Sequence, residues 1–186
     1  VNIHDSARLR YQLLSHDDAD LLFQLDQDPQ VMRHINGGKM TTMAEIQDIY
    51  IPRMESYRNE KQGWGLWKVT IKATEEFIGW VLVRPMDFFS DHPQPDNLEL
   101  GWRFLRSSWG NGYATEAARA VQQALIEKGD VRKLSAVALE ENTASIKVMT
   151  KLGMTYLKTA IHRDPLGDVE LVFYELTISE AADKVT

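Results

Sequence analysis

Between a run of strand character, Leu98 to Leu105, and a helical pattern from about Gly112 to Lys128 lies the turn Trp109-Gly110-Asn111-Gly112-Tyr113-Ala114. Two glycines one residue apart, followed by a small alanine, let the main chain come close to a ligand. The first amides of the helix that follows have no partner inside it, and the helix dipole adds partial positive charge at the same point. Such a turn is a receptor for phosphate or pyrophosphate. The alternative is a tight strand-to-helix connection that binds nothing. A Walker loop is excluded, because no Lys-Ser/Thr pair follows the second glycine. A dinucleotide fingerprint belongs after the first strand of a sheet, whereas earlier strands precede this turn. Asn36-Gly37-Gly38-Lys39 reads as an ordinary turn.

The rest of the chain alternates short β patterns with helical ones. Leu9 to Leu14 alternates as a first strand, and Ser15 with Asp18 is a capping signal for a helix to about Asp26. Asp28-Pro29 breaks that helix, and a second is expected from about Thr42 to Arg58, with Pro52 kinking or dividing it. Trp64 to Ile71 and Phe77 to Arg84 read as a hairpin. Pro85 to Asn97, with its prolines and with Asp87, Asp91 and Asp96, reads as a long irregular loop. Ala114, Ala117, Ala118, Val121 and Leu125 form the inner face of the helix after the glycine turn, which Lys128-Gly129 closes. Leu134 to Leu139 is a strand, and Asn142 opens a helix whose inner face is Ser145, Val148, Met149 and Leu152. Met154 to Ile161 and Val169 to Thr177 are the last two strands. The order is that of a mixed α/β domain around one central sheet.

Composition narrows the function classes. The 186 residues are 44% apolar, 26% charged and 9% aromatic. They hold no apolar run of the ~18–20 residues a membrane span needs, and they are too apolar for a disordered chain. A net charge of -6 lacks the basic footprint of a nucleic-acid binder. The absence of cysteine excludes disulfides, thiolate metal sites and acyl-cysteine intermediates. His4, His16, His34, His92 and His162 show no metal-ligand spacing. A cytoplasmic chain without metal, membrane or nucleic-acid partner is the expectation.

Three segments together resemble a known family: Leu98-Glu99-Leu100-Gly101-Trp102, the glycine turn continued through Thr115-Glu116-Ala117, and Asn142-Thr143-Ala144-Ser145 through Lys151-Leu152-Gly153-Met154. They are similar to the GNAT N-acetyltransferases, and most of all to the Rim-type ribosomal-protein N-terminal (serine/alanine) acetyltransferases. The opening Arg8-Leu9-Arg10 with His16-Asp17-Asp18-Ala19 suits the same branch. The resemblance implies a single N-acetyltransferase domain over residues 1–186, its core about 8–178. It implies an α/β (α+β) fold with a mixed, mostly antiparallel sheet of about seven strands, flanked by about four helices. Two splayed strands of that sheet form a wedge for acetyl-CoA. The family's [Q/R]-x-x-G-x-[G/A] turn falls on Trp109 to Ala114, with Gly112 and Ala114 matching and Trp109 standing where Gln or Arg is expected. The coenzyme is thus expected on Trp109, Gly110, Asn111, Gly112, Tyr113 and Ala114, on Trp102 and Phe104 along the first splayed strand, and on Asn142 and Ser145 from the other side.

The family's reaction moves the acetyl group of acetyl-CoA to a primary amine, by direct attack in a ternary complex. The amine must first lose a proton, which is easier for an α-amine titrating near ~8 than for an alkyl amine near ~10. Glu99, in an apolar run beside the implied thioester, is the candidate base, directly or through a water; its alternative is a solvent-facing place in the strand alternation. Met149 occupies the position at which many family members carry an acidic Tyr. Ser145, one turn earlier, is then the candidate hydrogen-bond donor to the sulfur, or simply a small residue chosen for packing. His34 is a candidate for the acceptor side, and Arg106, Arg119 and Lys147 are candidates for the coenzyme's 3′-phosphate or for solvated helix charges. The branch favours a protein or peptide N-terminal α-amine as acceptor. A small amine (polyamine, aminoglycoside or amino-acid derivative) and a non-catalytic acyl-CoA sensor are the alternatives, and there is room for a homodimer.

Overall fold

The structure, a computed structural model, describes residues 1–179. Seven strands form one sheet in the order β1-β2-β3-β4-β5-β7-β6. They are β1 (Leu9–Leu13), β2 (Gly65–Ile71), β3 (Phe77–Met86), β4 (Gln94–Phe104), β5 (Lys133–Ala138), β6 (Thr155–His162) and β7 (Val169–Thr177). Every pairing is antiparallel except β4 with β5. The helices are α1 (Ala19–Leu25), α2 (Pro29–Asn36), α3 (Met43–Glu45), α4 (Ile51–Tyr57), α5 (Tyr113–Lys128) and α6 (Thr143–Lys151).

One helical expectation needs correction, and one about a proline is met. Asp28-Pro29 ends α1 but also starts α2: the Asp28 side chain accepts from the Gln30 amide at 2.9 Å, Pro29 takes the first helical position, and Gly37 closes the helix at φ 83°. Proline at that position loses no intrahelical bond, because the amide it lacks would be unpaired anyway. Beside Pro52 the second helix is divided, as expected. A π turn, Ile46–Tyr50, joins α3 to α4 immediately before it, the wider turn accommodating a ring that has no N–H to give. Counting α3 and α4 as one body, five helical bodies flank the sheet where about four were expected.

The expected irregular loop from Pro85 to Asn97 shrinks to residues 87–93, because β3 runs to Met86 and β4 begins at Gln94. Pro85 is tolerated in β3 because it lies past the last β2 rung, Gly65↔Val83, and beside a bulge at Met86.

Alternation along the strands serves two cores. Val69, Val81, Val83, Leu98 and Leu100 pack with Ala117, Ala118, Val121 and Leu125 of α5 and with Val148 and Met149 of α6. On the opposite face Leu66 and Leu82 pack with Leu22, Ile46, Ile51, Met54 and Tyr57 from α1 to α4. Each fully buried aliphatic side chain in these layers contributes about 1.5–3 kcal/mol.

The decisive feature for function is short. β4 and β5 pair over three rungs only, ending at Glu99↔Ser135. β4 then continues to Phe104 with β3 as its partner, while β5 continues to Ala138 with β7. The two strands diverge, and the wedge between them opens toward the N-termini of α5 and α6.

Candidate active site

Tyr113, the first residue of α5, follows Gly112, which sits at φ 75° in the left-handed region, as does Gly110 at φ 78°. The turn is braced from within. The Trp109 indole N–H donates to the Phe104 carbonyl at 3.0 Å, and the Asn111 amide donates to the carbonyls of Ser108 and Trp109 at 3.0 and 3.1 Å. α2 is capped by Asp28, α3 by Thr42 and α6 by Asn142. No side chain among the described residues caps α5; α1 and α4 lack such a cap too, but each continues directly from a preceding helical turn. The first amides of α5 are left to an external partner, in a site whose dipole favours negative charge.

A cleft of about 430 Å³ lies in front of those amides. Its walls are Trp102 and Phe104 of β4, Trp109, Gly110, Gly112, Tyr113 and Ala114 of the turn, and Asn142, Ser145 and Val148 around α6. Asn142 Oδ1 accepts from the Ser145 amide at 3.3 Å, which caps α6 and fixes both residues at the wall. Asn111 does not line the cleft; its side chain is the brace described above.

The fourth wall comes from α2, through Val31, His34 and Ile35. His34 was expected near the acceptor, but the helix that carries it was not expected at all. The signal was present in Asp28-Pro29 at one end and Asn36-Gly37 at the other, the proline-first, glycine-last asymmetry of a short helix. His34 Nδ1 and Arg103 Nε are both buried without a hydrogen-bond partner among the described residues, and both residues line this cleft.

Glu99 lies outside the cleft lining. It is 6% exposed and pairs with Arg84, its cross-strand neighbour, whose Nη2 donates to Oε2 at 2.9 Å. Burial by itself lowers the pKa of the Arg84 guanidinium; the charge of Glu99, then that of Tyr57, outweighs burial and holds it above its ordinary value. Two similar pairs stand nearby in the sequence of contacts: Arg103 with Asp26 at 2.7 Å, and Arg53 with Asp164. Met149 is buried in the α5–α6 core and does not reach the cleft. Of the suggested phosphate ligands, Arg106 is paired with Asp28 at 2.8 Å, Arg119 donates to the Lys151 carbonyl at 3.0 Å, and Lys147 lines no cleft described here. Among the described residues no group of acidic, histidine or cysteine side chains is arranged to hold a metal, and no helix is long and apolar enough to cross a membrane.

The model of the acetyltransferase (GNAT) domain matches residues 8–155. The chain belongs to the GNAT acetyltransferase family. It is an acetyl-CoA-dependent N-acetyltransferase with the family's α/β fold. Among its relatives, Uncharacterized protein YkkB of Bacillus subtilis is 35% identical over 158 residues, 84% of this chain and 86% of that protein. FsC-acetyl coenzyme A-N(2)-transacetylase of Aspergillus fumigatus is 29% identical over 161 residues, 85% of this chain and 67% of that protein. Among solved structures, RimL, a ribosomal L7/L12 α-N-protein acetyltransferase in complex with coenzyme A, superposes with a TM-score of 0.72 at 14% identity, covering 95% of this chain and 97% of its own. The aminoglycoside acetyltransferase AAC(6')-Ib, bound to an aminoglycoside and acetyl-CoA, superposes with a TM-score of 0.75 at 17% identity, covering 96% and 98%. At these identities the structural likeness establishes the fold, and GNAT members with quite different acceptors share it.

The residues present suit the coenzyme. An uncapped helix start offers amides and positive potential to its pyrophosphate, and the β4–β5 divergence leaves the backbone of Trp102 to Phe104 without a partner strand on one side.

Proposed function

We propose that this GNAT enzyme acetylates the N-terminal α-amine of a protein or peptide, by direct attack within a ternary complex. Acetyl-CoA supplies the activated acetyl group. The amides at the start of α5 bind its pyrophosphate, the free edge of β4 at Trp102 and Phe104 aligns its pantetheine arm, and Asn142 bounds that arm from α6. Glu99 takes up the proton of the incoming amine through a water, since it does not itself line the cleft. Ser145 holds a hydroxyl at the cleft for the sulfur. No cysteine is available to carry an acyl group, which supports direct transfer.

One observation supports the choice of acceptor. Asp26, Glu99 and Asp164 are each matched by an arginine, Arg103, Arg84 and Arg53, and Glu141 is the one carboxylate among the residues lining the cleft. A polycationic acceptor such as an aminoglycoside calls for carboxylates with charge to spare. A single α-amine, already close to losing its proton at neutral pH, asks for less. The relative named as an N(2)-transacetylase favours a second reading, a small-molecule amine.

A single panel tests both. The purified chain is incubated with acetyl-CoA and with peptides bearing a free N-terminus, N-blocked peptides bearing lysine, polyamines, aminoglycosides and amino-acid derivatives. Thiol release and acetyl mass gain are followed. Gain confined to free-N-terminus peptides is the expected result; turnover only with small amines overturns the acceptor proposal. In the same assay Glu99→Gln lowers turnover and reshapes the pH–rate profile, and an unchanged profile assigns the base elsewhere.

A further inference from the structure

Glu99 accepts from Arg84 twice, from Nη2 at 2.9 Å and from Nε at 3.3 Å, and both bonds end on one oxygen, Oε2. An arginine fork commonly spreads its two bonds over both oxygens of a carboxylate. Here no described residue donates to Oε1. Nor is Oε1 one of the buried atoms without a partner among the described residues, which are His34 Nδ1 and Arg103 Nε. It therefore keeps a contact with solvent, and its lone pairs can still accept.

The far side of Arg84 is braced. Its guanidinium lies against the rings of Tyr57 and Phe89. Phe89 also takes the Arg53 guanidinium, 4.0 Å from the ring centroid, and meets Phe88 edge-on at 5.0 Å. Arg53 in turn is paired with Asp164, in the connection between β6 and β7. Three separate stretches of chain, α4, residues 87–93 and residues 163–168, thus steady one guanidinium. Ordering of this kind is complete once the chain has folded, so none of it is lost when a substrate arrives. A proton acceptor gains from it, because a catalytic group works only within about 0.5 Å of its productive position.

Side chains alternate along β4, so Glu99 shares a face of the strand with Arg103, which lines the coenzyme cleft. We infer that Arg84 is a positioning residue for the reaction: by holding Oε2 it sets Oε1 as the atom that takes the acceptor's proton through a water. The ammonium gives a proton to that water as the water gives one of its own to Oε1, leaving a neutral amine and a protonated carboxyl. The inference rests on the reading of Glu99 as the base.

The test is a double-mutant cycle read in turnover. Arg84→Lys keeps the charge but not the fork, Glu99→Gln removes the base, and a third variant carries both. Thiol release is followed with acetyl-CoA and a peptide bearing a free N-terminus, or the small amine that turns over in the panel above. Acetyl-CoA binding checks that each variant is folded. A misplaced base predicts that Arg84→Lys lowers kcat about tenfold or more, with KM for acetyl-CoA unchanged. In the Glu99→Gln background the same substitution lowers kcat no further. Where Arg84→Lys fails to fold, Phe89→Leu takes its place. It removes the ring without touching the pair, and a fall of about threefold is expected, again absent without Glu99. Unchanged kcat in these variants, with Glu99→Gln impaired, overturns the inference alone and leaves the base standing. Losses that multiply give Arg84 a role of its own and overturn it as well. Unchanged turnover in Glu99→Gln overturns both.

Discussion

Arg84 and Glu99 face each other across the β3–β4 rung with their charged atoms 2.9 Å apart, and both side chains are almost wholly withdrawn from water. The rings of Tyr57 and Phe89 lie 5.2 and 5.4 Å from the guanidinium. Removing one charge of such a pair strands the other. Arg84→Met is expected to cost about 3–5 kcal/mol, whereas replacing both residues with apolar ones of similar volume recovers most of that loss. Denaturant unfolding of the single and double variants checks it; additive losses would mean that the two charges act separately.

Two glycines bear on the cleft in different ways. At Gly112 an added Cβ has room, with only Arg8 Nη2 at 3.7 Å, so alanine there suffers from backbone strain alone. Gly112→Ala is expected to lose about 1–2 kcal/mol of stability and to weaken coenzyme A binding as the amides turn away. At Gly79, paired with Phe104, a Cβ would fall 2.3 Å from the Arg103 carbonyl oxygen. Gly79→Ala forces β3 from β4, and should be the more damaging of the two in unfolding experiments.

Met149 is 1% exposed and packed in the core under α6. Introducing the tyrosine that many relatives were expected to carry there does not supply a proton donor to the cleft. Met149→Tyr is expected to lose about 1–3 kcal/mol through overpacking with no gain in turnover, measured by unfolding and thiol release together.

Stability should fall at both ends of the pH scale. Glu116 and Asp164 have carboxyls held below their ordinary values of 4.5 and 3.8. Burial opposes this in each; bonds from Ser6 and Arg8 to Glu116, and from Arg53 and the Leu166 amide to Asp164, overcome it. Their stabilisation is complete above those values and is lost as acid protonates the folded state. Tyr11 is pushed up from 10.0 to about 12, chiefly by burial. Its contribution is complete below pH 10.0 and disappears as pH rises toward 12. Unfolding free energy measured against pH should show both declines, and Tyr11→Phe should flatten the alkaline one.

Much of the architecture was legible because its signals are local. Strand alternation at Leu98–Phe104, the small inner face Ala117, Ala118 and Val121, and the Asn142 cap each depend on residues within a turn or two, and the structure has them in place. α2 is hidden wherever proline is read only as a breaker, although the same residue at a first helical position favours a start. The length of β3 and β4 was missed because prolines mark a loop unless neighbouring strands have already ended, and that depends on the whole sheet.

The chain's own order of residues determined a glycine turn at the head of a helix, and with it a place for an anion, because backbone conformation and amide direction follow from neighbours in sequence. Tertiary structure decided the remainder. Arg8 meets Glu116 across 108 positions, Arg84 meets Glu99 across 15, and β4 leaves β5 after three rungs. Such contacts depend on strand register and helix packing, which many distant residues set together, and no short stretch of sequence carries them.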